Sequence, residues 1–203
     1  MTELTFLLQT SNGVPVMGLA QDGTVVFDSS QDEALLGSRN YRHVLEAGLK
    51  KTGATLSDIT ALYVDIGPGG LGVTRTGVAF ANALGFALAR PTVGLPAFEL
   101  LGAELAKTAD VPVVILRKAA RPFVHFGIFS AERLTHYEHC ERDIALEQVQ
   151  KLDKYALAGN VDISDGITPE CNVASIETML KLARSTPKAP NDTRAYPIVE
   201  TLT

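Results

Sequence analysis

The sequence predicts an α/β protein: a mixed sheet with helices packed on it, in two subdomains. Three observations carry this. Apolar runs of strand length recur through the first hundred residues. Two of them flank Asp22-Gly23, a hairpin pair. From residue 42 onward such runs alternate with segments whose apolar residues fall at helical spacing.

In order, residues 5–8 read as a buried strand and 14–20 as a second, with 24–27 following the hairpin pair as a third. Over 42–51, Val44, Leu45 and Leu49 share a helical face, and Gly53 supplies a stop. Residues 61–66 form the fourth strand. A glycine-rich turn follows, then a helix over 74–89 that Arg90-Pro91 ends, because the residue before proline is pushed out of the α region. Residues 92–95 give a short strand and 97–107 another helix. The order βββαβαβα over the first 108 residues matches the ribonuclease H-like half of the actin/hexokinase/Hsp70 architecture. Beyond it, 112–117, 123–129 and 134–139 read as strands, 144–152 as a short helix or loop, and 173–184 as a helix with Ala174, Ile176, Leu180 and Ala183 apolar. Residues 185–192 are loop material. A boundary at Thr108-Ala109-Asp110 gives an N-terminal subdomain, 1–108, and a smaller, degenerate one, 109–203. No internal repeat is visible.

Composition excludes several classes. The 203 residues are 46% hydrophobic and 20% charged, the balance of a globular chain. A net charge of −5, with no basic run longer than two residues, opposes an autonomous nucleic-acid binder. Cys140 and Cys171 form no CxxC pair, which fits a reduced, cytoplasmic setting. Met1-Thr2-Glu3-Leu4 lacks a basic signal-like region, and the apolar run 77–89 falls short of the roughly 20 residues that span a bilayer.

The turn Gly67-Pro68-Gly69-Gly70-Leu71-Gly72-Val73-Thr74-Arg75-Thr76-Gly77 supports two readings. Backbone N–H groups at a helix start can hold an anion, with Arg75 the nearby cation. Glycines also let backbones approach closely. Gly67-x-Gly69-x-x-Gly72 matches a dinucleotide fingerprint formally. No acid stands near Thr92 to hold a ribose, however, and no Gly-Lys-Ser/Thr follows. In the helix beyond, Gly77, Ala81, Gly85 and Ala89 recur every fourth residue on one face. That face packs either on the domain's own sheet or on another chain, and the second is the reading carried forward.

The stretch 67–81 resembles the GPGSFTGLRIG-type signature of the TsaB (YeaZ) family, with Gly-Pro-Gly, the Arg and the following Gly in register. Thr10-Ser11, Tyr41-Arg42-His43-Val44-Leu45 and Leu95-Pro96-Ala97-Phe98-Glu99-Leu100-Leu101 resemble flanking family segments, and the likeness covers about residues 4–107. The resemblance implies an actin-like scaffold in threonylcarbamoyladenosine synthesis on tRNA. Such proteins pair with the catalytic sister TsaD through N-terminal helices, and self-associate through the same region. The sister's metal-binding His-x-x-x-His has no counterpart at 95–101. Gln9 replaces the family's Asp, which weighs against ATP or ADP. Residues 70–74 depart from Ser-Phe-Thr-Gly-Leu, and Tyr196-Pro197-Ile198-Val199 keeps only a trace of the family's ending.

The expectation is therefore a non-catalytic partner protein. Gly77, Ala81, Gly85 and Ala89 are its predicted interface; Gly67, Gly69, Gly70, Gly72 and Arg75 form the turn and an anion site of lesser weight; no catalytic residue, metal or cofactor is assigned. An actin/hexokinase-type ATPase or kinase and a metal-dependent peptidase are the alternatives. Asp65 reads as a metal ligand or a local cap, and Ser11 as a nucleophile or a turn former. Arg117, Lys118, Arg121 and Arg133 read as a basic edge for tRNA or a solvated face. His136 and His139 read as surface or edge residues.

Overall fold

The computed structural model describes residues 3–163 and 166–198. Met1, Thr2 and Val199, named above, lie outside the described residues, as do 164–165 and 200–203 of the second predicted subdomain.

The elements run β1 (Leu4–Gln9), β2 (Val16–Gln21), β3 (Thr24–Asp28), α1 (Tyr41–Thr52), β4 (Ile59–Asp65), α2 (Leu71–Leu88), β5 (Thr92–Leu95), α3 (Ala97–Leu105), then β6 (Val113–Lys118), β7 (Phe123–Ser130), β8 (Arg133–Glu141), α4 (Arg142–Val149), β9 (Ala156–Gly159) and α5 (Ile176–Ser185). The first sheet has the order β3-β2-β1-β4-β5. Its first three strands form an antiparallel meander, while β4 lies parallel to β1 and β5 parallel to β4. Parallel neighbours need crossovers, and α1 and α2 supply them. This is the ribonuclease H-like plan of actin-type proteins. The second sheet, β8-β7-β6-β9, repeats its beginning: an antiparallel meander, a helix, and a strand parallel to the first of the meander. The topology thus repeats where the sequence shows no repeat.

β1 is apolar almost throughout because both of its faces are covered. Alternation sends Phe6 and Leu8 to one side, where Leu45 and Leu49 of α1 and Val78 and Ala81 of α2 pack. Leu7 goes to the other side, onto Ile176, Met179 and Leu180 of α5. Burying each of those side chains is worth roughly 1.5–3 kcal/mol. α5 therefore completes the core of the first sheet from the far end of the chain. α3, from the first half, packs instead on the second sheet, with Phe98 and Leu101 against Val113, Ile115 and Phe129. The two halves exchange helices across the boundary at 108.

Three local differences from the sequence reading have physical reasons. α2 begins at Leu71, not Thr74: Gly70 caps it, and the Gly70 carbonyl already accepts from the Thr74 amide at 3.0 Å. It ends before Arg90-Pro91, with Ala89 left-handed at φ 51°. β9 is four small or apolar residues, too short to leave a periodic signal.

Candidate functional site

The turns after β1 and β4 lie side by side at the carboxyl ends of parallel strands, where α/β folds hold ligands. Asp65, buried at the end of β4, ties them together. Its Oδ2 accepts from the amides of Ser11 at 2.9 Å and Thr10 at 3.3 Å, and its Oδ1 from the Gly67 amide at 2.8 Å. Gly67 sits at φ 89°, a region glycine enters without strain. The Gly70 amide donates to the Ser11 carbonyl at 3.0 Å, and a Cβ on Gly69 would overlap that carbonyl. Asp65 is thus the local cap of the two sequence readings, and Gly67, Gly69 and Gly70 are stitched onto the β1 turn.

Arg117 reaches this junction from β6 of the second sheet, and it is buried. Its Nη1 donates to the Ser11 hydroxyl and to the Pro68 carbonyl, the latter at 3.1 Å, while Nη2 donates to the Asn172 carbonyl at 3.0 Å. Burial pulls the guanidinium below its ordinary pKa, and the Asp65 carboxylate opposes that shift. A buried Arg117 belongs neither to a basic edge for tRNA nor to a solvated face, which corrects both readings of it. Ser11, buried and bonded to Arg117, is a turn residue rather than an exposed nucleophile. Gln9 is buried too, its Nε2 donating to the Ala174 carbonyl at 2.8 Å.

These side chains do not fit a Mg²⁺–nucleotide. The Gln9 amide is committed to Ala174, the Asp65 oxygens to backbone amides, and both Nη atoms of the guanidinium to Ser11, Pro68 and Asn172, which leaves its buried Nε unpartnered. Gly72 and Arg75 are exposed in the first turns of α2 and take no part in this junction. Nor do the residues after β5 fit a catalytic metal, since Ala97, Phe98, Leu100 and Leu101 are buried core. Burial pushes the Cys171 thiol up to about 11, so it is not a thiolate at neutral pH.

The small face of α2 turns inward, a correction to the predicted interface. Ala81 is fully buried. A Cβ on Gly77 would stand 2.5 Å from Thr10 Oγ1, and one on Gly85 would overlap Thr92 Oγ1 and lie 3.0 Å from the Arg90 carbonyl oxygen. Gly77, Ala81 and Gly85 exist for the chain's own sheet, and only Ala89 of the four is exposed. The opposite face faces outward, with Ala79, Ala83 and Ala87 exposed and Phe86 at 76%. By length and composition α2 could cross a membrane, but its inner face is packed core.

The histidines lie elsewhere. His136 and His139 are on β8, an edge strand, as expected. His125, opposite His139 across β7 and β8, is buried with its Nδ1 3.0 Å from the Tyr137 hydroxyl. The sequence reading missed Asn172, and it missed the buried, bridging role of Arg117. Its one signal was a cation at the end of the apolar run Val113-Val114-Ile115-Leu116.

The family model described as "TsaD: tRNA N6-adenosine threonylcarbamoyltransferase" matches residues 37–184. Comparison with curated proteins gives no significant match. Among solved structures, a protein with similarity to peptidase YEAZ from Pseudomonas aeruginosa superposes with TM-score 0.69 at 16% identity, covering 97% of this chain and 99% of that one. YeaZ from Pseudomonas aeruginosa gives TM-score 0.63, also at 16% identity, covering 90% and 91%. The chain belongs to the TsaD family, as a member with the YeaZ (TsaB) fold.

Proposed function

We propose that the protein is a non-catalytic subunit that supports threonylcarbamoyl transfer to tRNA adenosine by binding a TsaD-like transferase through the outer face of α2. The carrying observation is that face itself. Ala79, Ala83, Phe86 and Ala87 lie exposed along an 18-residue helix whose inner face is core. Contiguous apolar surface of this kind marks protein contacts, and alanines allow a second helix to approach closely. Family membership supports the tRNA setting. The committed side chains around Arg117 weigh against an ATPase or kinase, and the buried apolar residues after β5 against a metal-dependent peptidase. The reading also places the protein in the cytoplasm, without a membrane or a strong tRNA contact of its own.

Co-purification and light scattering with the TsaD-like protein of the same organism test this. A stable complex is expected, weakened by Ala83→Glu at unchanged melting temperature, because Ala83 is exposed. No complex with the wild-type chain, together with ATP turnover by the isolated chain, would overturn it.

A further inference from the structure

Residues 190–198 form a strap along α2 and the edge of the first sheet. The Thr193 carbonyl accepts from the Thr92 amide at 3.0 Å, and the Ile198 amide donates to the Ile66 carbonyl at 2.8 Å. Between these anchors Asn82 of α2 clips the strap with both ends of its side chain. Its Nδ2 donates to the Ala195 carbonyl at 2.8 Å and its Oδ1 accepts from the Ala195 amide at 3.0 Å. Ala195 enters the core beside Val78 and Ala81. Beside the inward Ala195, Arg194 is half-buried, its Nη1 donating to the Asn191 carbonyl at 3.3 Å, and Tyr196 is 76% exposed. The Arg194 guanidinium lies 6.0 Å from the centre of the equally exposed Phe86 ring and donates to the Thr193 carbonyl at 2.7 Å.

Resting on the reading above, we propose that the strap and the outer face of α2 form one docking surface, with Arg194 and Tyr196 as contacts, for a partner protein whose apolar surface is rimmed by carboxylates. Two arguments fix that occupant. The strap backbone is anchored on both sides of Tyr196, so an exposed aromatic and an arginine stand pre-ordered beside Phe86, and these are the side-chain types that dominate binding energy. Along α2 the charge is also of one sign, the strap's own acid being Asp192 at its start. Helix α2 contains no acid, while Arg75 lies at its start, Arg90 just past its end and Arg194 beside it, on a chain of net charge −5. Arg75 and Arg90 are roughly 22 Å apart along the axis. Antiparallel pairing of two copies across Ala79 and Ala83 brings Arg75 of each copy toward Arg90 and Arg194 of the other. Like charges facing each other disfavour that pairing, whereas carboxylates at both ends of an apolar strip satisfy it.

The test measures affinity for the TsaD-like protein of the same organism at low and high salt, with light scattering of the chain alone and melting temperatures as controls. Tyr196→Ala and Arg194→Ala each weaken binding about tenfold or more, the range of side chains at the centre of an interface. Arg75→Glu and Arg194→Glu weaken it further and reduce its salt dependence. Asn82→Ala, which releases the strap, weakens it without altering the outer face of α2. Wild-type affinity in Tyr196→Ala and Arg194→Ala, with Ala83→Glu impaired, overturns the strap and leaves the α2 reading standing. No wild-type complex overturns both. If the isolated chain is a dimer that Tyr196→Ala dissociates, the occupant is a second copy and the proposal fails.

Discussion

Gly85→Ala separates the two uses to which a small-residue helix can be put. A Cβ on Gly85 would overlap Thr92 Oγ1 and come within 3.0 Å of the Arg90 carbonyl oxygen. Thr92 cannot turn away easily. It is β-branched and fully buried, and its hydroxyl donates to the Ala81 carbonyl at 3.3 Å. Overpacking of this kind costs about 1–3 kcal/mol. The gain in helix propensity returns about 0.5–1 kcal/mol, leaving a net loss on the order of 1–2 kcal/mol. For a chain of this size each kcal/mol lowers the melting temperature by roughly 2–4 °C, so scanning calorimetry should read a fall of roughly 2–8 °C. Thr92→Ala in the same chain should recover part of it, because the threonine Cβ would stand 3.6 Å from the new methyl, an ordinary contact. Partner affinity should change little at temperatures where the variant is folded. A wild-type melting temperature combined with lost partner binding would refute the inward assignment and restore Gly85 to an interface.

Arg117→Met should lower stability by about 2–4 kcal/mol in urea unfolding, because it leaves the Ser11 hydroxyl and the carbonyls of Pro68 and Asn172 buried without their donor; a loss under 1 kcal/mol would contradict that role. Asp65→Asn should cost about 1–3 kcal/mol in the same assay, since its NH₂ group would face amide donors of Ser11 or Gly67 in place of an acceptor. Burial raises the Glu104 pKa, but hydrogen bonds from Thr178, Ser175 and Lys107 outweigh burial and hold it below its ordinary value of 4.5. A depressed folded pKa gives stability that is present above the unfolded value and lost as pH falls through the folded one. The stability difference between wild type and Glu104→Gln should therefore be constant near neutrality and shrink below about pH 4.5; a difference unchanged down to pH 3 would oppose it.

The strand and helix order of the first half was legible because each element has its own periodicity and its own punctuation: Asp22-Gly23, Gly53, and the glycines after Asp65. The direction in which α2 faces was not. Gly77, Ala81 and Gly85 recur every fourth residue, but so do Ala79, Ala83 and Ala87 on the other side. Spacing alone cannot rank two such stripes. The ranking comes from Thr10 and Thr92, whose side chains fill the room left by the glycines and which are set there by β1 and β5. The buried role of Arg117, read in the sequence as a charged edge, was illegible for the same reason, since its partners lie 106, 49 and 55 residues away. α5 was found as a helix, but its membership in the first sheet's core depends on a return path that no local pattern encodes.

The junction at Arg117 also changes what the glycine turn can attract. A phosphate cradle needs uncommitted donors and net positive potential in a place that water has partly left. Here the Gly67 amide and both amides of the β1 turn already point at Asp65, and the Gly70 amide points at a carbonyl. The guanidinium that might have supplied the potential is buried beside that same carboxylate, which offsets its charge. An anion seated at this junction would have to replace Asp65 or pull Arg117 from three oxygens, and truncating one partner of such a buried arrangement costs several kcal/mol; the first-turn amides of α2 and the exposed Arg75 stand outside that junction. The same hydrogen bonds hold the start of α2 against both sheets. The turn is thereby a rigid mount that holds the outer face of α2, with Phe86 and the Arg194–Tyr196 strap, in a fixed orientation.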